Sequence, residues 1–398
     1  MWTAGDLWRR YRKATGREPL PLALVDLDAL EHNVAELVRP LRGTGKTLRI
    51  ATKSLRCPDL VQRVRDAAGD VAQGLMTYTA AETAFWAARG EPDLLLAYPT
   101  ARADEAALLA DANASGATAA VVVDSAEQLD VLASAARARR TRVPVVLDVD
   151  VSYRPLGALV HLGVRRSPLR GARDVVALAR QVTATGGLTF RGLLAYEAQI
   201  AGVADTGAGV HLMKALSSPD VARARAAVSR ALGDAGLAPT LFNGGGTGSL
   251  AACAREPALT EVTAGSGFLD SHLFDGYRGL ALRPAAYFAL QVVRRPAPRI
   301  VTCHGGGYVA SGAAGVDRLP RPALPEGLSL LGLEGAGEVQ TPLALAQGVE
   351  IALGDPIFFR HAKAGELAEH FAEYTLVRGE RAEGRALTYR GLGKCFLG

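Results

Sequence analysis

The chain reads as an α/β protein, a (β/α)₈ TIM-type barrel followed by a smaller β-rich domain. Between residues 48 and 267, eight short runs rich in Val, Leu and Ile alternate with Ala- and Arg-rich stretches. That is the count and length of a (β/α)₈ barrel. The runs are nearly continuous in apolar residues, as parallel strands covered on both faces are. From about residue 275 proline becomes frequent, and the apolar runs turn short and Gly-bounded, the texture of a separate β-rich unit. An open doubly wound sheet is the structural alternative, and the count of eight favours the barrel.

Strands are expected at 48–54, 74–79, 93–99, 119–125, 144–151, 190–198, 240–246 and 259–267. Between them lie helical patterns such as "PDLVQRVRDAAG", "SAEQLDVLASAARARR", "RDVVALARQVTATGG" and "DVARARAAVSRALGDAG". Their apolar positions recur at three and four, and several end in glycine. The barrel is expected to span 22–272, with 1–21 and 273–398 forming the β-rich domain that completes the active site. The amphipathic "GDLWRRYRKATG" is expected to pack on that second domain, and "AGELAEHFAEY" is the helix-periodic stretch late in the chain.

Composition narrows the function classes. The net charge of +5 is spread over 45 basic and 40 acidic residues, with no long basic block. This argues against a nucleic-acid partner and suits an anionic small molecule. Cys57, Cys253, Cys303 and Cys395 are far apart with no CxxC, which fits a reducing cytoplasm and neither a zinc ribbon nor a disulfide framework. The N-terminus has no apolar signal region, and no run reaches membrane-spanning length, so a soluble cytoplasmic protein without a membrane partner is expected.

In such a barrel the chemistry sits at the C-terminal ends of the strands. The first expected strand ends in Lys53, and the fifth is followed by "HLGVRRSP" with Arg165 and Arg166. The sixth ends in "AYEAQ", placing Tyr196 and Glu197 at the rim; the seventh ends in "NGGGTGS" and the eighth in "TAGSG". A Gly-rich turn that opens into a helix offers backbone N–H groups and a helix dipole to an anion. "GGGTGS" lacks the GK[ST] of a Walker loop and the context of a dinucleotide fingerprint. Alone, either glycine cluster is an ordinary tight turn. Two on adjacent strand ends, each with a serine, make a phosphate cradle. A lysine facing that cradle suggests pyridoxal 5'-phosphate (PLP), whose aldehyde forms a Schiff base with a lysine amine. A nearby arginine would pair with the ring's phenolate oxygen or a substrate carboxylate.

These residues carry a family resemblance. "PLALVDLDALEHNVAEL" (21–37) followed by "IATKS" resembles the opening of the alanine-racemase-type, fold-type III PLP enzymes. "GLMTYTAAETAFWAARGEPDLLLAYP", "HLGVRRSP", "GLLAYEAQ", "FNGGGTGS" and "EVTAGSG" then follow in the order of the D-threonine aldolase and D-serine dehydratase branch. The resemblance implies Lys53 as the Schiff-base lysine and Arg166 beside the ring oxygen, with Tyr196 lining ring or substrate. It assigns cofactor binding to Asn243, Gly245, Gly246, Thr247, Gly265, Ser266 and Gly267. It also implies a homodimer and a divalent metal held by a His-x-Cys or His-x-Asp pair. The matching segment here is "RHAKAGE", with His361 in place but Lys363 as the second residue. An ammonium does not ligate a metal, so the metal stays open, with Glu366 or Glu338 as replacement ligands.

The expected function is aldol cleavage or formation at Cα–Cβ of a β-hydroxy-α-amino acid, small and of D configuration by resemblance. Lys53 would be anchor and base, and His361 or a metal would activate the β-hydroxyl. A dehydratase is the nearest alternative and a racemase the next. A PLP-homeostasis protein and a sugar-phosphate barrel enzyme are the other classes, the former opposed by the residues beyond the barrel.

Overall fold

The computed structural model describes residues 3–397. Among these residues eight parallel strands close a barrel: Thr47–Ala51, Ala72–Thr77, Asp93–Leu96, Thr118–Val123, Val143–Asp148, Leu188–Ala195, Leu241–Gly244 and Glu261–Ala264. They are called barrel strands one to eight below. Strand eight pairs back onto strand one, with Thr47 opposite Glu261. Both faces of each strand are covered, which explains the unbroken apolar runs. Val121 and Val123 point to the surrounding helices in the main core. Ala120 and Val122 fill the barrel interior with Leu95, Val146, Leu194 and Leu241. Buried Arg49 closes the lower interior, donating to Glu261 (2.6 Å) and Asp93 (2.7 Å).

The remaining strands form a nine-stranded sheet among the described residues. Leu22–Asp26, counted with the barrel in the sequence reading, is hydrogen-bonded into this sheet. It runs antiparallel to Ala286–Ala297 and parallel to Glu373–Arg378. The N-terminal helix, Ala4–Thr15, begins with a Thr3–Asp6 capping box and lies on the same sheet. Trp8 Nε1 donates to the Pro356 carbonyl (3.1 Å), and Tyr11 Oη donates to Asp26 (2.7 Å). The expected packing of this helix on the second domain is therefore found.

Three element boundaries differ from expectation. Strand one stops at Ala51, and Lys53 sits on a 3₁₀ turn, Thr52–Ser54. "AGELAEHFAEY" is not a helix: a 3₁₀ turn at Glu366–Glu369 leads into the strand Glu373–Arg378. That strand is held between Leu22–Asp26 and Arg381–Leu387 and buries Tyr374, Leu376 and Val377, so sheet pairing overrides helical periodicity. The helix expected from Asp220 starts at Ala208 and carries Pro219 inside it.

Candidate active site

A cavity of about 830 Å³ opens at the C-terminal mouth of the barrel. Lys53, Arg166, Tyr196 and the two glycine loops form one side; Ser311, Asp317, Arg318, Lys363 and Glu366 of the β-rich domain form the other.

Lys53 stands in this space on a well-fixed turn. Thr52 Oγ1 donates to the Met76 carbonyl (2.9 Å), and the Thr52 carbonyl accepts from Leu55 and Arg56 N–H (both 2.9 Å). Arg56 adopts a left-handed backbone (φ 48°), and its Nε donates to the Lys53 carbonyl (3.1 Å). The β-rich domain touches the same carbonyl through Gly365 (φ 85°), where a Cβ would collide with it; glycine alone permits that approach. The Lys53 side chain is exposed to the cavity, yet protein walls surround it. Desolvation by those walls lowers its pKa, and the charges of Arg166, Arg56 and Lys363 lower it further.

Arg166 is fixed by Asp148, which accepts from its Nε (3.1 Å), and by the Ala97 carbonyl, which accepts from Nη2 (3.1 Å). Its guanidinium lies 5.7 Å from the Tyr98 ring centre and 5.9 Å from that of Tyr196. Burial pushes Asp148 up to about 6 despite Arg166. Burial also pushes the Tyr196 phenol up to about 12, so Tyr196 stays protonated near neutrality.

The glycine loops are tight. A Cβ on Gly265 would lie 2.5 Å from Ser54 Oγ, and one on Gly246 would lie 3.2 Å from the Tyr196 ring. Several loop N–H groups are spent inside the protein. Gly245 N–H donates to Glu197 (3.1 Å), Gly246 N–H to Ser249 Oγ (3.1 Å), and Gly267 N–H to Thr247 Oγ1 (3.0 Å). Asn243 lines the cavity, but its amide donates to Glu261 (2.7 Å) and Thr263 (2.8 Å). Thr247 and Ser266 line the cavity and Gly267 does not.

Two expected positions need correction. Glu197 is not at the rim; it is buried beneath the glycine loop, accepting from Arg225, Ser249 Oγ and Cys253 Sγ. Burial pushes its carboxyl up, but the Arg225 guanidinium and the Ser249 hydroxyl hold it below the usual range. The chain leaves strand six with alternating side-chain directions, so the neighbour of cavity-facing Tyr196 turns away. His361 has no cavity face. It is buried, neither ring nitrogen finds a hydrogen-bond partner among the described residues, and burial lowers it to about 3.

The implied metal fits poorly. Among the described residues no group of three His, Cys, Asp or Glu side chains is placed to hold one. From this segment the Lys363 ammonium and the Glu366 carboxylate reach the cavity, and His361 does not. PLP fits better: an amine whose pKa burial lowers, an arginine held by Asp148 and the Ala97 carbonyl, and two tightly packed glycine loops face one cavity. Ser311, Arg318 and Asp148 also serve this site, and no local motif in the sequence marks them.

A barrel mouth of this kind, closed by a β-rich domain, defines a fold-type III PLP enzyme. Residues 25–268 match the alanine racemase N-terminal domain family, and the chain belongs to it. It is 28% identical over 257 residues to a 3-hydroxy-D-aspartate aldolase of Paracoccus denitrificans, covering 63% of this chain and 60% of that protein. It is 27% identical over 298 residues to a D-threonine aldolase of Arthrobacter sp, covering 72% of this chain and 73% of that one. The chain thus aligns with about three fifths of the Paracoccus protein's length. Among solved structures, the D-threonine aldolase from Filomicrobium marinum superposes with a TM-score of 0.81 at 22% identity, over 94% of this chain and 95% of that one. That likeness concerns the fold.

Proposed function

We propose that this protein is a PLP-dependent lyase that cleaves or forms the Cα–Cβ bond of β-hydroxy-α-amino acids. The observation that carries the reading is the Lys53 amine, its pKa lowered, facing two glycine loops across one cavity. The named activities of the Paracoccus and Arthrobacter relatives support an aldolase over a dehydratase. When bound, PLP supplies an electron sink for the carbanion left at Cα.

The chain's own residues divide the rest. Lys53, its pKa lowered by burial, would anchor the cofactor through its amine and, once released, carry a proton at Cα. Arg166, oriented by Asp148, pairs with the ring oxygen and keeps it anionic. Gly246, Thr247, Gly265 and Ser266 wall the phosphate, with Asn243, Gly245 and Gly267 holding the loops in place. Tyr196 closes the barrel side as a protonated wall. For the β-hydroxyl, where His361 or a metal is the sequence expectation, the lack of a cavity face at His361 favours another group. We assign that proton to Glu366, the cavity carboxylate held by Ser311 N–H (2.8 Å) and Ser311 Oγ (2.6 Å).

A homodimer is part of the proposal. It is supported by Leu156, Leu159, Leu162 and Val164, all exposed on the loop that leads to Arg166. No helix among the described residues is long and apolar enough to cross a membrane. Four free cysteines support a reducing, cytoplasmic setting.

The test is product analysis. Purified protein loaded with PLP should be yellow and should release glycine and an aldehyde from 3-hydroxy amino acids, D before L. An oxo acid with ammonia would replace the aldolase by the dehydratase. A colourless protein that takes up no PLP would end the cofactor reading altogether.

A further inference from the structure

The β-rich side of the cavity carries two cations whose partners leave donors free. Lys363 Nζ donates to the neutral Ser311 Oγ (3.1 Å) and stands 4.0 Å from Glu366, which accepts from Ser311 through both oxygens. Arg318 has its buried Nε without a hydrogen-bond partner, and its Nη2 is 3.6 Å from Asp317. The Asp317 carboxylate is half-exposed, so solvent screens it. Arg56 and Arg166, by contrast, are both locked onto carboxylates outside the cavity, Glu369 (2.6 Å) and Asp148 (3.0 Å). Lys363 and Arg318 are also held together in space by consecutive residues. Ser311 bonds Lys363, while Gly312 lies against Arg318, where a Cβ would sit 3.1 Å from Nε.

We propose that Lys363 and Arg318, bridged by Ser311–Gly312, form a subsite for a carboxylate on the substrate's side chain. The inference rests on the lyase reading above and names its substrate class: 3-hydroxy-2-amino diacids. The chemistry of such a side chain matches the wall group by group. Its Cβ bears a hydroxyl, which Glu366 receives, and a carboxylate, which needs N–H donors with positive charge. Arg318 offers a planar fork and Lys363 a point charge with N–H groups left over. Charge-assisted hydrogen bonds are the strong ones, and a neutral side chain in their place would leave these donors unpaired.

The experiment uses the PLP-loaded protein and calorimetric titration with D-aspartate and with D-asparagine, its neutral isostere; neither carries a 3-hydroxyl to cleave. D-aspartate should bind about 10- to 100-fold more tightly, the range for hydrogen bonds to charged groups. Lys363→Met and Arg318→Met should each bring the ratio toward one, and Lys363→Arg should keep most of it. PLP uptake by each variant checks that it folds. Equal affinities in the parent protein, or an unchanged ratio in Lys363→Met, would overturn the subsite. Cleavage of 3-hydroxy amino acids without a preference for diacids would sink the subsite alone. An aspartate preference in a protein that cleaves nothing would sink the lyase reading and leave the subsite standing.

Discussion

The two walls of the cavity are built differently. On the barrel wall, the arginine and the glycine loop are each held by several hydrogen bonds. Arg166 bonds Asp148 and the Ala97 carbonyl, and the glycine loop is secured from behind by Glu197, Ser249 and Thr247. On the β-rich wall, Lys363 has one hydrogen bond to a neutral hydroxyl, and Arg318 has a nitrogen with none. The first arrangement fixes a cofactor to within the tolerance that chemistry needs. The second leaves donors for whatever the substrate brings. On the proposed reading, cofactor anchoring and substrate choice are carried by separate walls, and each can be broken without the other.

The largest effect should come from the barrel wall. Lys53→Ala removes both the anchor and the proton carrier, and the visible absorption band should vanish. Turnover should fall by about 10²–10⁴-fold or more, the range for loss of a general acid–base group. A variant that keeps its band and most of its turnover would move the anchor elsewhere.

Next in size is the support behind the glycine loop. Arg225 is fully buried and pairs with Glu197 and with Glu256 (2.8 Å). Arg225→Met leaves Glu197 charged and unpaired in the interior, which costs about 3–5 kcal/mol. Chemical denaturation should show that loss, and PLP should be retained more weakly because Gly245 N–H loses an ordered acceptor. A comparable substitution at Lys363, half-exposed on the other wall, should leave stability within about 0.5 kcal/mol.

What could be read from the sequence follows the same division. Lys53, Tyr196 and the glycine loops lie at the ends of runs whose apolar pattern marks them as strands, and Arg166 lies in the loop that follows one, so a local reading brings them to one mouth. The eight strands were legible for the same reason. Ser311 and Arg318 come from irregular segments about fifty residues before Lys363, and only the folded sheet brings them together. Glu197 was misplaced by one register step, which side-chain alternation past Tyr196 would have corrected. The strand Glu373–Arg378 was misread because its pairing partner, Leu22–Asp26, lies some 350 residues earlier.

A smaller effect should appear in the pH dependence of stability. Glu82 accepts from Tyr78 N–H (2.9 Å) and Tyr389 Oη (2.7 Å), joining a cavity residue to the C-terminal segment. Burial pushes its carboxyl from the usual 4.5 up to about 7. The folded state therefore binds the proton more tightly than the unfolded chain. The stability that this supplies is fully present below about pH 4.5, falls as pH rises toward 7, and is gone above it. The full amount is about 3 kcal/mol at 1.36 kcal/mol per pKa unit. Glu82→Gln cannot titrate and should flatten stability over that window. An unchanged slope would assign the proton uptake to Asp148 or Asp270, both raised to about 6.

The smallest expected effect tests the β-rich wall by its donor set. A divalent ion needs deprotonated oxygen, nitrogen or sulfur ligands. This wall offers the cavity an ammonium, a guanidinium and the carboxylates of Glu366, which accepts from Ser311, and half-exposed Asp317. His361, the one nitrogen donor of the segment, is buried without a cavity face, with Arg360 and His272 close enough to lower its pKa. Dialysis of the PLP-loaded protein against a strong chelator should therefore leave turnover of a 3-hydroxy amino acid unchanged, and added Mn²⁺, Co²⁺ or Zn²⁺ should not raise it. Loss of turnover on chelation, restored by one of these ions, would require His361 to turn into the cavity beside Glu366. The β-rich wall would then be a metal site that rearranges on loading, and the separation of the two walls would fail.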